Sequence, residues 1–262
     1  NTPAPIDTLN DATQSINSIY TDNNYLYIGP SGDGNVYIYN ITDIGTTPTP
    51  FDTLSDAGNS VKSVYADSNY LYVGSADNNI YVYNITDIGN TPTPLDTLSG
   101  ATDSINSIYA DNNYIYAGSE DNNTYIYDIS NIGATPTPID TLNDATDHVK
   151  SVLSDTDYLY IGSYDNNIYI YNISEIGTTP SPLVTLSNET SYVLSMDIGS
   201  NYLYRAGYSD NNVYIYSIPS MQKPINQLST QTPTILTWTD DLANSKDLSR
   251  TAIPNGQLIL PN

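Results

Sequence analysis

The chain has 262 residues, with 29 acidic against six basic side chains and a formal net charge of -23. Such a surface repels phosphate, which argues against nucleic acid as a partner. There is no cysteine, so neither a disulfide framework nor a thiolate metal site exists, and no apolar run approaches the ~18 residues that membrane insertion requires.

The chain starts at Asn1 in mid-phrase, which reads as a mature or excised piece. A short strand phrase, Ile6–Leu9, comes first, without inner strands before it. Five similar units follow, each predicted to hold three inner strands, over about 15–41, 60–85, 104–129, 148–173 and 192–218. Gly29, Gly74, Gly118, Gly162 and Gly207 mark them and recur every 44 or 45 residues. A fixed period in this range signals a propeller, solenoid or array, because one unit cannot bury its apolar surface alone.

The second unit shows the pattern. Val61–Tyr65, Tyr70–Val73 and Ile80–Tyr83 are rich in β-branched and aromatic residues, which predicts strands. The joints Ala66–Asn69 and Ala76–Asn79 suit tight hairpins, since Asn and Asp tolerate positive φ and bond their own backbone. Thr91-Pro92-Thr93-Pro94 cannot join a central ladder and carries the chain to an outer edge strand, Leu95–Leu98. Outer phrases recur at Phe51–Leu54, Ile139–Leu142, Leu183–Leu186 and Ile225–Leu228. Four antiparallel strands per unit make a propeller blade, and the chain reads as all-β. Strict alternation within each strand would place Tyr70, Tyr72, Tyr81 and Tyr83 on one face of the blade. Leu71, Val73, Ile80 and Val82 would then form the other face, packed on the next blade's tyrosines.

Residues 74–87, GSADNNIYVYNITD, and 118–131, GSEDNNTYIYDISN, resemble the second half of a WD-repeat. Tyr83 and Tyr127 stand where that family has Trp, and its Gly-His pair is missing. Residues 81–98 are similar to an LVIVD-type repeat. Together the resemblances span about 1–228 and imply a propeller that acts as an interaction or surface scaffold.

Six outer phrases against five inner units make residues 229–262 informative. Ile235–Asp241 aligns without gaps on Val61–Asp67, and Asn255-Gly256 with Gln257–Leu260 resembles Asn78-Asn79 with Ile80–Tyr83. This predicts a degenerate sixth blade closed by the N-terminal strand. The rival is a five-bladed ring with 229–262 as a tail making intersubunit contacts.

Catalytic chemistry is thinly supplied: one histidine, no cysteine and no G-x-S-x-G motif. His148 stands where other units carry Ser60 or Ser104 and reads as structural. Asp33, Asp77, Asp121, Asp165 and Asp210 recur in the hairpin turns; they are candidate Ca²⁺ ligands or, more simply, turn-closing residues, one carboxylate per loop being too few for tight binding. No cofactor is expected beyond that. Ser18, Ser63, Ser107, Ser151 and Ser195 recur on the innermost strand, where a ring of hydroxyls would line the channel or pack. Asn40, Asn84 and Asn172 open sequons at one repeat position, and Asn122 and Asn188 open two more at turns; all are candidate glycan acceptors or copies of a chance match. Low Lys with abundant Tyr, Asn and Thr fits an extracellular or cell-surface protein. The expected function is a non-catalytic structural or interaction propeller, a glycosylated surface or filament component that binds protein partners or self-associates. The alternative is a carbohydrate-binding propeller using Tyr stacking and Asn/Asp hydrogen bonds.

Overall fold

The computed structural model describes residues 3–187, 190–199 and 201–218. They form five antiparallel sheets in chain order, each with its strands paired sequentially. Blade 1 holds β1 (Ile16–Thr21), β2 (Tyr25–Pro30), β3 (Val36–Asn40) and β4 (Asp52–Leu54). Blade 2 holds β5 (Val61–Ala66), β6 (Tyr70–Ser75), β7 (Ile80–Asn84) and β8 (Asp96–Leu98). Blade 3 holds β9 (Ile105–Ala110), β10 (Tyr114–Ser119), β11 (Thr124–Asp128) and β12 (Asp140–Leu142). Blade 4 holds β13 (Val149–Ser154), β14 (Tyr158–Ser163), β15 (Ile168–Asn172) and β16 (Val184–Leu186). Blade 5 shows β17 (Val193–Ile198), β18 (Tyr202–Gly207) and β19 (Val213–Ser217). β5 lies between β1 and β9, and β13 between β9 and β17, so the first strands of the blades line a common axis.

The turns follow from their side chains. In blade 2, Asp67 Oδ1 accepts the Asn69 and Tyr70 N–H groups, and Oδ2 accepts the Tyr72 hydroxyl at 2.7 Å. Asp22, Asp111 and Asp155 do the same in their blades. The second hairpin places Asn78, Asn122, Asn166 and Asn211 at positive φ, a conformation Asn tolerates better than most residues. In blades 1 to 4 a single 3₁₀ turn follows the third strand; in blade 2 it is Ile85–Asp87, which leads through Gly89 at φ 95° into the Pro-rich link.

The faces of the blades differ from simple alternation within one strand. Leu71 pairs with Tyr83, Tyr72 with Val82 and Val73 with Tyr81. Directly paired residues share a face, so each face mixes tyrosine and aliphatic side chains. Tyr72, Ile80 and Val82 of blade 2 pack against Ile105, Ile108, Ile115 and Tyr125 of blade 3, all buried. The expected tyrosine side and aliphatic side do not exist, because register between strands decides faces as much as spacing within them.

The blades approach closely at one glycine. A Cβ at Gly74 would stand 2.8 Å from Ile105 Cγ2, and one at Gly118 would stand 2.5 Å from Val149 Cγ1. Gly29 and Gly162 face Val61 and Val193 in the same way. The residues filling these notches are almost wholly buried, each stabilising by about 1.5–3 kcal/mol. In blade 5 the equivalent residue is Ala206, not Gly207: Ser195 pairs with Ala206 as Ser63 pairs with Gly74.

Ile6–Leu9 forms no strand, yet Asp7 Oδ2 accepts the Gly45 and Thr47 N–H groups at 2.8 and 3.1 Å. Asp52, Asp96 and Asp140, from the outer strands, make the same pair of bonds to the 3₁₀-turn segment of the following blade. The outer phrase Ile225–Leu228 and the proposed blade or tail at 229–262 lie outside the described residues.

Candidate functional site

Two ends of the blades differ in chemistry. One end carries the first hairpins and the 3₁₀ turns. The other carries the second hairpins and the residues that lead into the first strands, held side by side by backbone bonds. Ala76 N–H donates to Ser60 O, Glu120 to Ser104 O, Tyr164 to His148 O and Tyr208 to Tyr192 O, at 2.9 to 3.1 Å. Blades 2 and 3 thus present Ser60 beside Ala76 and Ser104 beside Glu120. Blades 4 and 5 present His148 beside Tyr164 and Tyr192 beside Tyr208.

Those four rings form one cluster. Tyr164 stacks on His148 with centroids 6.0 Å apart and on Tyr192 at 5.1 Å, with Tyr208 6.5 Å from Tyr164. Lys150 Nζ lies 4.9 Å from the Tyr164 centroid and 2.9 Å from Glu120 Oε1, so its charge is balanced within the cluster. Burial pushes the Tyr164 hydroxyl's pKa up, and nearby Tyr208 and the carboxylates of Glu120 and Asp147 add to it. Tyr192 is 43% exposed and Tyr208 63%. Exposed aromatic rings with balanced charge beneath them are suited to binding, since they give large contact area at low entropic cost. The sequence carried the signal as a departure from the repeat at positions where serine, alanine or glutamate stands elsewhere. His148 alone was singled out there; Tyr164, Tyr192 and Tyr208 were missed.

The recurring aspartates are occupied by their own turns. Asp77 Oδ1 accepts the Asn79 N–H and Oδ2 accepts the Tyr81 hydroxyl at 2.7 Å and the Gly58 N–H. Asp121 and Asp165 repeat this with Tyr125 and Thr102, and with Tyr169 and Thr146. Asp33 and Asp210 bind Tyr37 and Tyr214. Burial alone would raise the Asp121 pKa, but the Thr102 N–H and Tyr125 hydroxyl hold it below the usual carboxylate range. Backbone amides of the preceding link, Gly58, Thr102 and Thr146, thus tie each of these three turns to the segment before the first strand. Each aspartate sits in a separate turn, and among the described residues no group of three or more His, Asp or Glu could hold a metal ion.

The last tyrosines of the third strands are also tied down. Tyr39, Tyr83 and Tyr171 hydroxyls donate to Asp11, Asp56 and Asp144, and that of Tyr127 to the Ser99 carbonyl. The serine ring turns out to be an interlock. Ser18, Ser63, Ser107 and Ser151 Oγ accept the N–H of Val64, Ile108, Val152 and Met196 in the next blade, each at 3.0 Å.

The sequon residues open the 3₁₀ turns. Asn84 and Asn172 Oδ1 accept the N–H of Thr86 and Ser174, a cap that Asp128 makes equally well with Ser130. Asn40 instead reaches Asp43 through Nδ2. Asn122 sits at positive φ, with Thr124 of its sequon buried, and Asn188 lies outside the described residues.

Residues 49–84, 92–128 and 136–172 match the family described as WD domain, G-beta repeat. The chain is a β-propeller repeat protein. Each matched segment runs from an outer strand through the three inner strands that follow. Propellers built from such repeats generally serve as non-catalytic scaffolds for protein–protein interaction. A comparison with curated proteins finds no match.

Proposed function

We propose that this propeller is a non-catalytic extracellular interaction module that docks a cationic protein segment on the aromatic cluster of blades 4 and 5. The cluster carries the proposal: blades 4 and 5 replace the small or polar residues of the repeat with stacked, exposed rings. The net charge of -23 favours an Arg- and Lys-rich partner, whose cations would sit over Tyr192 and Tyr208. A second copy carries the same charge and is disfavoured, so assembly into a surface layer or filament would run through such a partner. N-glycosylation at Asn40, Asn84, Asn122, Asn172 or Asn188 belongs to the same reading. The mass of the protein from its native source tests it, and an unmodified mass removes that part.

Selection from a displayed peptide library tests the docking site. The chain should enrich Arg- and Lys-rich sequences, and the Tyr192→Ala/Tyr208→Ala variant should not. Equal enrichment by both would overturn it. The exposed faces of Tyr192 and Tyr208 also support a second reading, sugar stacking; a glycan array that binds the chain but not the variant would favour it.

A further inference from the structure

Blade 5 ties its second hairpin to the segment before its first strand in its own way. In blades 2 to 4 a serine at the end of the second strand makes the tie. The Ser75, Ser119 and Ser163 hydroxyls donate to the carbonyls of Asn59, Asp103 and Asp147 at 2.8 to 3.3 Å. The same oxygens accept the N–H groups of Asp77, Asp121 and Asp165. In blade 5 Gly207 stands at that register position, and Ser209 makes the hairpin one residue longer. A Cβ at Gly207 would stand 2.7 Å from Ser191 Oγ and would also meet Asp210, so this hairpin has no room for the serine. Arg205 instead donates to the Ser191 carbonyl. Ser191 Oγ in turn accepts the Ser209 N–H at 3.0 Å.

Arg205 departs from the repeat. It takes the place of Val73, Ala117 and Ile161, pairs with Met196 and is completely buried. Its guanidinium carbon lies 4.8 Å from the centroid of Tyr214. A buried cation costs desolvation that an aliphatic side chain avoids. We infer that Arg205 is the positioning residue of the aromatic cluster. Ser191 precedes Tyr192, and Ser209 follows Tyr208. The path from Arg205 to the Ser191 carbonyl, and from Ser191 Oγ to Ser209, therefore fixes both segments that carry the exposed rings. Tyr192 and Tyr208 are held with centroids 6.4 Å apart. Rings fixed by such a supporting layer have little freedom left to lose on binding. The role of Arg205 in binding rests on the docking site proposed above, whereas its hold on the rings does not.

Two variants of the full chain test this. Arg205→Val restores the aliphatic residue of the repeat, and Ser191→Ala removes the second link while leaving the buried cation in place. NMR of tyrosine-labelled protein follows the ring signals of Tyr192 and Tyr208, with Tyr72 and Tyr116 of blades 2 and 3 as internal references. Affinity for a selected Arg- and Lys-rich peptide is measured beside them. In both variants Tyr192 and Tyr208 should lose the ring-current shifts of the stack while Tyr72 and Tyr116 keep their positions. Peptide affinity should fall by about fivefold as the two rings regain freedom. Rings that move while the peptide binds unchanged, or does not bind the native chain at all, would uphold the positioning role and remove the docking site. Rings that stay in place in a folded variant would overturn the inference. A shift of all four signals together would overturn it too, as the mark of general loosening. If Arg205→Val does not fold, Ser191→Ala decides by the same signals.

Discussion

Asp7 Oδ2 accepts the Gly45 backbone N–H at 2.8 Å, the bond that Asp96 accepts from Gly133 at 2.9 Å one blade interface and more away. The repeat uses an outer-strand carboxylate to pin the turn of the blade that follows. Asp96 is buried, and Asp96→Ala strands the N–H groups of Gly133 and Thr135, at a cost of about 2 kcal/mol. The urea midpoint should fall accordingly, and Asp7→Ala should move it in the same direction by less.

Gly118 is the notch for Val149. Gly118→Val should destabilise by about 3 kcal/mol through overpacking, because its Cβ would stand 2.5 Å from Val149 Cγ1. A compensating Val149→Ala should restore part of the loss. An unchanged midpoint in Gly118→Val would mean that the blades do not approach here.

Ser107→Ala removes the acceptor of the buried Val152 N–H and should cost about 1–2 kcal/mol. Hydrogen exchange at Val152 should accelerate with it. Exchange that stays slow would show that the serine is packing alone.

Tyrosine chemistry sets the alkaline limit. Unfolded tyrosine ionises at about pH 10, whereas burial and then the bonds to Asp77, Asp121 and Asp165 push Tyr81, Tyr125 and Tyr169 up to about 12. Between those values the unfolded chain has released protons that the folded chain keeps. Stability is therefore full below about pH 10 and falls as pH rises towards about 12. Tyrosinate absorbance should lag behind that of free tyrosine and then rise together with unfolding. Smooth ionisation near pH 10 without loss of stability would contradict the hydroxyl–carboxylate bonds.

Much of this fold is written in single residues. Asp67 and Asn78 announce their hairpins because their side chains bond their own turns, and Pro92 and Pro94 announce the edge because they lack an N–H. Blade faces were not legible: Tyr83 shares a face with Leu71 only through the register between β6 and β7, which no single strand encodes. The serines at the axis were visible as a series, but the N–H groups that donate to them lie 45 or 46 residues away in the next blade. The aromatic cluster was hidden differently. Tyr164, Tyr192 and Tyr208 look like three among 26 tyrosines, and only the hairpin geometry of blades 4 and 5 gathers them beside His148.

The most direct test of the scaffold reading is the affinity of a selected Arg- and Lys-rich peptide for the chain and for Tyr192→Ala/Tyr208→Ala, measured at low and high salt. The account predicts binding to the chain that weakens with salt and is at least about tenfold weaker in the variant, equivalent to about 1.4 kcal/mol, with unchanged folding. Equal affinity for both proteins would contradict it.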